Sequence, residues 1–326
     1  MIWKYQIYLK FKLLNIMDVS ICITTYKHEK YIKECLESIF SQEFNGEYEI
    51  IICNDNSPDN TEAIIHEIIT THPKGSKVKY YKNTPNLGYV KNTLYSFSKA
   101  SGKYISILDG DDYWINPLKL QKQYDFLETN PDFSGVGTDS KVIYEELSKP
   151  SHNFSNHLDQ ELTKDNLTDL NICQTSTFFF RKNILKPDFP KDIISADRCL
   201  YLLAGCYGKI KVLPEQMSTY RQFGASISKN VTYDMMKKDF EIVPFIKKYN
   251  SDYKSSKLKS YFYYTLMTYS NVITKFNFYK AATGYFFNNV LSKFSLNPIK
   301  LYLAIKWSKH TINQKYQIKV ENNSFI

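Results

Sequence analysis

Residues 104–114 read Tyr-Ile-Ser-Ile-Leu-Asp-Gly-Asp-Asp-Tyr-Trp, and this stretch constrains the chain more than any other. Tyr104 to Leu108 is a mostly apolar run that reads as a buried strand. It leads straight into Asp109, Asp111 and Asp112. Like charges crowded at a strand end are unfavourable unless a cation occupies the site. Ligands that are all oxygen favour a hard divalent ion, Mg²⁺ or Mn²⁺. The stretch therefore points to metal-assisted transfer on a substrate that carries a diphosphate. The plain alternative is an acidic surface turn. An EF-hand is excluded, because Trp114 stands where its loop needs Gly and Leu120 where it needs Glu.

The rest of the N-terminal half gives that strand its setting. Val19–Thr24, Tyr48–Cys53 and Val78–Tyr81 are short runs rich in β-branched or aromatic residues, read as three earlier strands. Helical spacing of apolar residues separates them, over Glu29–Gln42, from about Thr61, and over Tyr89–Ala100. Strand alternating with helix predicts a parallel α/β sheet. Ligands of such sheets bind beyond the carboxyl ends of the strands. Polar loops stand at three of those ends: Thr24-Thr25-Tyr26, Asn54-Asp55-Asn56, and Asp109 to Asp112. No GxGxxG follows the first strand, which argues against a dinucleotide fold. A nucleotidyltransferase would need a Gly-rich basic loop there, and Thr24–Lys30 is not one.

Five segments in this order and spacing resemble family 2 inverting glycosyltransferases of the GT-A fold. They are Val19–Tyr26, Ser38–Gln42, Glu49–Thr61, Asn86-Leu87-Gly88 and Leu108–Trp114, and the likeness runs over about residues 18–228. It implies an α/β fold, a GT-A type mostly parallel sheet flanked by helices, with a C-terminal helical appendix. It implies metal-dependent transfer of a sugar, with inversion, from a nucleotide diphosphate donor such as a UDP-sugar. The acceptor would be a hydroxyl of a glycan or lipid-linked molecule, in bacterial surface polysaccharide synthesis. Thr24 and Tyr26 would lie against the base, Tyr26 offering a stacking face. Asp55 would accept the uracil N3–H, since a carboxylate only accepts. Asp109, Asp111 and Asp112 would form the DxD-type element that touches the donor, with Asp111 and Asp112 nearest Mn²⁺ or Mg²⁺. Asn54 stands where the family usually has Asp.

Further along, Pro117–Asn130 reads as a helix, Phe133–Val142 as strand and turn, Cys173–Arg181 as a strand, and Lys209–Leu213 as another. Asp197 falls in the first turn of a helix that starts near Ser195. By itself it would simply complement the helix dipole. The resemblance implies that Asp197 is the general base, although Ala196 replaces the Glu that usually precedes it. Tyr220–Ser228 resembles the closing motif of the family, with Phe223 in place of a frequent His, and Arg221 would face the diphosphate. His152 and His157 read as inert surface residues.

Charge divides the chain. Residues 1–234 sum to −2, whereas residues 235–326 hold 15 Lys, no Arg and four acids, for +11. A basic, aromatic-rich helical tail reads either as a packing appendix or as a peripheral anchor on an anionic membrane surface. Without Arg or a recognised motif it does not read as a nucleic-acid binder. A membrane span needs about 20 predominantly apolar residues, and the charge-free stretch Ser260–Thr274 is too short and too polar. The six cysteines form no CxxC pair and read as free thiols of a reducing compartment. The expected organisation is an N-terminal extension at 1–16, with Met17 as a candidate start, a glycosyltransferase domain at 17–230 and a helical region at 231–326. A cytoplasmic protein, peripheral at the inner membrane face, is expected. The competing reading from another class is a non-catalytic module that binds nucleotide sugars or polysaccharide.

Overall fold

The computed structural model describes residues 17–145, 149–155, 157–164, 166–167, 172–222, 231–269, 273–293, 297–322 and 324. The expected extension at 1–16 and the segment Phe223–Ser228 of the closing motif lie outside the described residues. The chain divides into two units. The first comprises residues 1–163, 171–186 and 207–222, and the second residues 164–170, 187–206 and 223–326.

The first unit is built on one sheet. Strands β1 (Val19–Thr25), β2 (Tyr48–Asn54), β3 (Val78–Lys82) and β4 (Tyr104–Asp109) are parallel, in the order β3-β2-β1-β4. Every residue of β1 and β2 is buried, as near-continuous apolar runs in parallel sheets require. Helices α1 (Ile32–Phe40), α2 (Thr61–Thr71) and α3 (Tyr89–Lys99) make the crossovers. One sheet face, with Val19, Ile21, Ile23, Ile50 and Ile52, shares a core with Leu36 and Ile39 of α1 and Ile65 of α2. Alternate residues meet α3 on the other face, where the Cys22 thiol donates to the Ser96 carbonyl. Strand alternation and helical period together sort these side chains into two layers.

Beyond β4 lie β5 (Tyr113–Trp114), α4 (Lys119–Thr129), β6 (Phe133–Tyr144), two short strands β7 (His152–Asn153) and β8 (Glu161–Leu162), β9 (Phe179–Arg181), and β10 (Lys209–Gln222). The sheet continues β4-β9-β6-β10-β5, with β9 antiparallel to both its neighbours and β10 parallel to β6. Two expectations change here. The segment Cys173–Arg181 is not one strand, because Gln174 Oε1 accepts from the Ser176 N–H and folds residues 175–177 into a helical turn before β9. The strand expected at Lys209–Leu213 runs on to Gln222, crossing Pro214 by a register shift between Leu213 and Gln216.

Glu49 is the one buried acid of β2. Ser20 Oγ donates to it at 2.6 Å, Ser101 through its N–H at 2.7 Å and its hydroxyl at 2.6 Å, and Lys79 Nζ lies 2.6 Å away. Burial pushes its carboxyl up. The bonds from Lys79, Ser101 and Ser20 outweigh that and hold it at about 2. One side chain thus ties β1, β2, β3 and the approach to β4.

The second unit is helical: α5 (Ala196–Tyr207), α6 (Tyr233–Lys237), α7 (Ile242–Tyr249), α8 (Ser255–Tyr269), α9 (Lys275–Ser292) and α10 (Pro298–Glu321). Its core joins Leu266 and Met267 of α8 to Phe278 and Ala281 of α9, with Ile312 and Tyr316 of α10 against them. No helix among the described residues is long and apolar enough to cross a membrane.

Candidate active site

The strand ends of the first unit are laced into one surface. The Gly110 N–H donates to Thr24 O, the Asp55 N–H to Thr25 O, and the Asn83 N–H to Asn54 O, each at 2.9 Å. The loops after β1 and β2 are joined as well. Lys27, at φ +61°, donates its N–H to Ser57 Oγ, and the His28 N–H reaches Thr61 Oγ1. The structure therefore brings Thr24, Tyr26, Asp55, Asp109, Asp111 and Asp112 to the carboxyl edge of one sheet, as the polar loops imply.

Their individual roles differ. Tyr26 is 41% exposed, so its ring is open to a planar ligand. Thr24 is buried and donates its hydroxyl to Asp109 Oδ1 at 2.9 Å, which fixes that carboxylate. Asp55, expected to accept an imide N–H, is 3% exposed. Its Oδ1 accepts from Asn83 Nδ2 and the Leu87 N–H, and its Oδ2 from the Gly88 N–H, all at 2.8 Å. Asp55 therefore shapes the Asn86-Leu87-Gly88 loop, whose Gly88 sits at φ +83°, a conformation that suits glycine. Asn54, fully buried, accepts from the Ser57 N–H and donates to the Tyr80 hydroxyl, so its amide is structural.

The three acids of the central stretch part company. Asp112 is 1% exposed, and both its oxygens are engaged. Oδ1 accepts from the Arg221 N–H at 2.9 Å and Oδ2 from Gln174 Nε2 at 3.0 Å. Burial, with Asp111 and Asp109 nearby, pushes its carboxyl well above the usual range. Asp111 is different. Burial raises its carboxyl to about 6, and its Oδ2 lies 3.8 Å from His28 Nε2. Burial also lowers His28 to about 4, so that contact is not an ion pair at neutral pH. Beside them, His28 Nδ1 and Thr25 Oγ1 are buried without a hydrogen-bond partner. A Cβ at Gly110 would come within 2.8 Å of each, so only glycine fits between Asp109 and Asp111.

Arg221 does not stand free for a diphosphate. Its Nε–H donates to Asp111 O at 3.0 Å, and Nη2 pairs with Glu34 at 2.6 Å. The guanidinium also lies over the rings of Tyr31 and Tyr113. It clamps the end of β10 onto the acidic loop. Asp197 belongs to the second unit. It is exposed in the first turn of α5, and its Oδ1 accepts from the Arg198 N–H at 2.7 Å.

Two residues beneath the acidic loop escape sequence reading. Gln174 bridges Asp112 to Ser176, whose hydroxyl lies 3.0 Å from that of Ser218. Lys119 is fully buried, 2.7 Å from Gln123 Oε1, 3.4 Å from Ser106 Oγ and 4.1 Å above the Trp114 ring, and burial lowers its amine to about 7. A buried lysine carries no local sequence signal, because its partners come from other elements.

Among the described residues no group of three or more His, Cys, Asp or Glu forms a ready cage for a metal. The donor set still fits a hard divalent ion. Such ions commonly rest on one or two carboxylates and complete their shell with substrate phosphate and water. Asp111, whose burial makes an uncompensated charge costly, is the carboxylate with most to gain, and Asp109 adjoins it.

Known proteins resemble this chain in sequence and in fold. A protein of Mycobacterium tuberculosis with no assigned function is 32% identical over 209 residues, 64% of this chain and 60% of its own length. This chain therefore spans about 60% of that relative. An Escherichia coli UDP-Glc:α-D-GlcNAc-diphosphoundecaprenol β-1,3-glucosyltransferase is 37% identical over 115 residues, 35% of this chain and 43% of its own. The crystal structure of Staphylococcus aureus TarS 1–349 in complex with UDP-GlcNAc superposes with a TM-score of 0.68 at 17% identity, over 92% of each chain. That likeness, with the strand order above, shows the GT-A fold. The family description Glycosyl transferase family 2 matches residues 20–189, the span that holds β1 to β9 and all three acids of the central loop. On that match, and on the strand ends it covers, the chain belongs to glycosyl transferase family 2.

Proposed function

We propose that this protein transfers a sugar, with inversion, from a nucleotide diphosphate donor to a hydroxyl of a glycan or lipid-linked acceptor. The observation that carries the reading is Asp111: a carboxylate raised to about 6 by burial, at the carboxyl edge of a parallel sheet whose first strand leads into the exposed Tyr26. The E. coli relative uses UDP-Glc by name and TarS was crystallised with UDP-GlcNAc, which supports a UDP-sugar and a role in surface polysaccharide assembly.

Asp111, with Asp109 beside it, would hold Mn²⁺ or Mg²⁺. When bound, the ion supplies positive charge opposite the departing diphosphate, so the leaving group needs no proton. Thr24 keeps Asp109 in one rotamer through its hydroxyl. Tyr26 stacks on the base. Asp55 braces the Asn86–Gly88 loop, and Asp112 and Arg221 brace the acidic loop rather than touch the ion. Asp197, exposed in the first turn of α5, would accept the proton of the attacking hydroxyl as general base.

The test is release of free UDP from a panel of UDP-sugars with Mn²⁺ and a lipid-linked acceptor. Asp197→Asn should lose at least about 100-fold in rate while still binding nucleotide. Nucleotide binding without release from any donor would establish a binding module instead. Near-native turnover by Asp197→Asn would remove it as the base.

A further inference from the structure

In the second unit, α9 and α10 form a hairpin pinned by Asn289 Nδ2, which donates to Ser308 Oγ at 2.8 Å. Both residues are buried. Near the C-terminal end of α9 and the N-terminal half of α10, Phe287, Leu291, Ile299, Tyr302, Leu303 and Trp307 are all exposed, four of them above 60%: Leu291 61%, Ile299 69%, Tyr302 61% and Trp307 62%. On α10 the positions 299, 302, 303, 306, 307 and 310 follow helical spacing and make one outward face. The inward side of the same helix is already used, with Ala304 and Ser308 buried and Ile312 and Tyr316 in the core. The helix is thus apolar on two sides, and only one is covered. A contiguous exposed apolar surface of this kind marks a docking site.

The charge decides what docks. Residues 253–320 contain eleven lysines and no Asp or Glu. Lys293, Lys300, Lys306 and Lys309 lie exposed among the apolar residues. A second copy docking through the same stretch would bury those amines against other amines, since it holds no acids. An anionic lipid surface accepts them, because lysine stems run along apolar surface while the amines stay with the headgroups. Trp and Tyr prefer that same depth. We propose that the exposed residues at the end of α9 and along the first half of α10 insert into the interface of an anionic bilayer, lying in the headgroup plane without spanning it. This tethers the protein to a membrane and is independent of the transfer reading.

The full chain is mixed with vesicles of phosphatidylcholine alone or with phosphatidylglycerol, and binding is read by co-sedimentation and Trp emission. The chain has three tryptophans, Trp3, Trp114 and Trp307, so a blue shift on vesicle addition is assigned to Trp307 only if Trp307→Phe abolishes it while sedimentation persists. Binding should require phosphatidylglycerol and weaken with salt. The triple variant Lys300→Gln/Lys306→Gln/Lys309→Gln should bind at least about tenfold more weakly. Leu303→Ser/Trp307→Ser should do the same with unchanged thermal unfolding, since both side chains are exposed. Absence of binding to anionic vesicles, or equal binding by parent and variants, would overturn the proposal. So would a dimer that Leu303→Ser/Trp307→Ser dissociates and that ignores vesicles.

Discussion

Gln174 Nε2 donates to Asp112 Oδ2 at 3.0 Å, joining residues 62 positions apart, while Asp112 Oδ1 takes the Arg221 N–H from 109 positions away. One carboxylate therefore fastens β10 and the turn before β9 to the acidic loop. The neighbouring Asp111 has no such duty. The two acids should respond oppositely to removal. Asp112→Ala leaves two buried donors without an acceptor and is expected to cost about 2–4 kcal/mol in urea unfolding. Asp111→Ala should stay within about 1 kcal/mol of the parent in stability and abolish UDP release.

Asp55 gives a second separation of stability from chemistry. Asp55→Ala removes the acceptor for the Leu87 and Gly88 amides and for Asn83. The expected loss is about 2–3 kcal/mol. Amide hydrogen exchange should speed up at Leu87 and Gly88 ahead of the strands β1 and β2. Unchanged protection at both amides would show that the loop holds itself.

Glu49 predicts a pH dependence. Its folded carboxyl, held at about 2, lies below the unfolded value of about 4.3. The unfolded chain then binds the extra proton first, so the contribution is full above about pH 5 and fades as pH falls toward 2. Glu49→Gln should cost roughly 2–3 kcal/mol at pH 7, and the gap from the parent should narrow between pH 5 and pH 2. Denaturant midpoints across that range provide the check.

Lys119 works in the other direction. Burial lowers its amine to about 7, whereas the unfolded chain titrates near 10.4. Between those values the unfolded state holds the extra proton, so stability from this site rises with pH and its cost is complete below about 7. Lys119→Met keeps the volume and the contact with Trp114 without a buried charge. It should be neutral or stabilising by about 1–2 kcal/mol at pH 6, with the advantage shrinking by pH 9.5. A large loss at pH 6 would mean that the bonds to Gln123 and Ser106 outweigh desolvation.

The short apolar runs Val19–Thr24 and Tyr48–Cys53, the helical spacing of Leu36 and Ile39, and the turn chemistry after each strand were enough to read a parallel α/β sheet with its polar loops at one edge. These are local properties, because side-chain period and turn preference act within a few residues. Asp109, Asp111, Thr24 and Tyr26 could be assigned to that edge for the same reason. What the acids do there depends on partners distant in sequence. Asp112 and Asp111 are adjacent and chemically identical, yet one meets Gln174 and Arg221 and the other meets neutral His28. Asp55 and Arg221 likewise spend their hydrogen bonds on the fold. The buried Lys119 and the acid Glu49 were invisible for the same reason, since desolvation exists only once the chain has packed. Sequence by itself set where the carboxylates lie. Tertiary structure alone decided which are saturated and which is left charged and short of partners, because hydrogen bonding and burial are properties of the assembled neighbourhood.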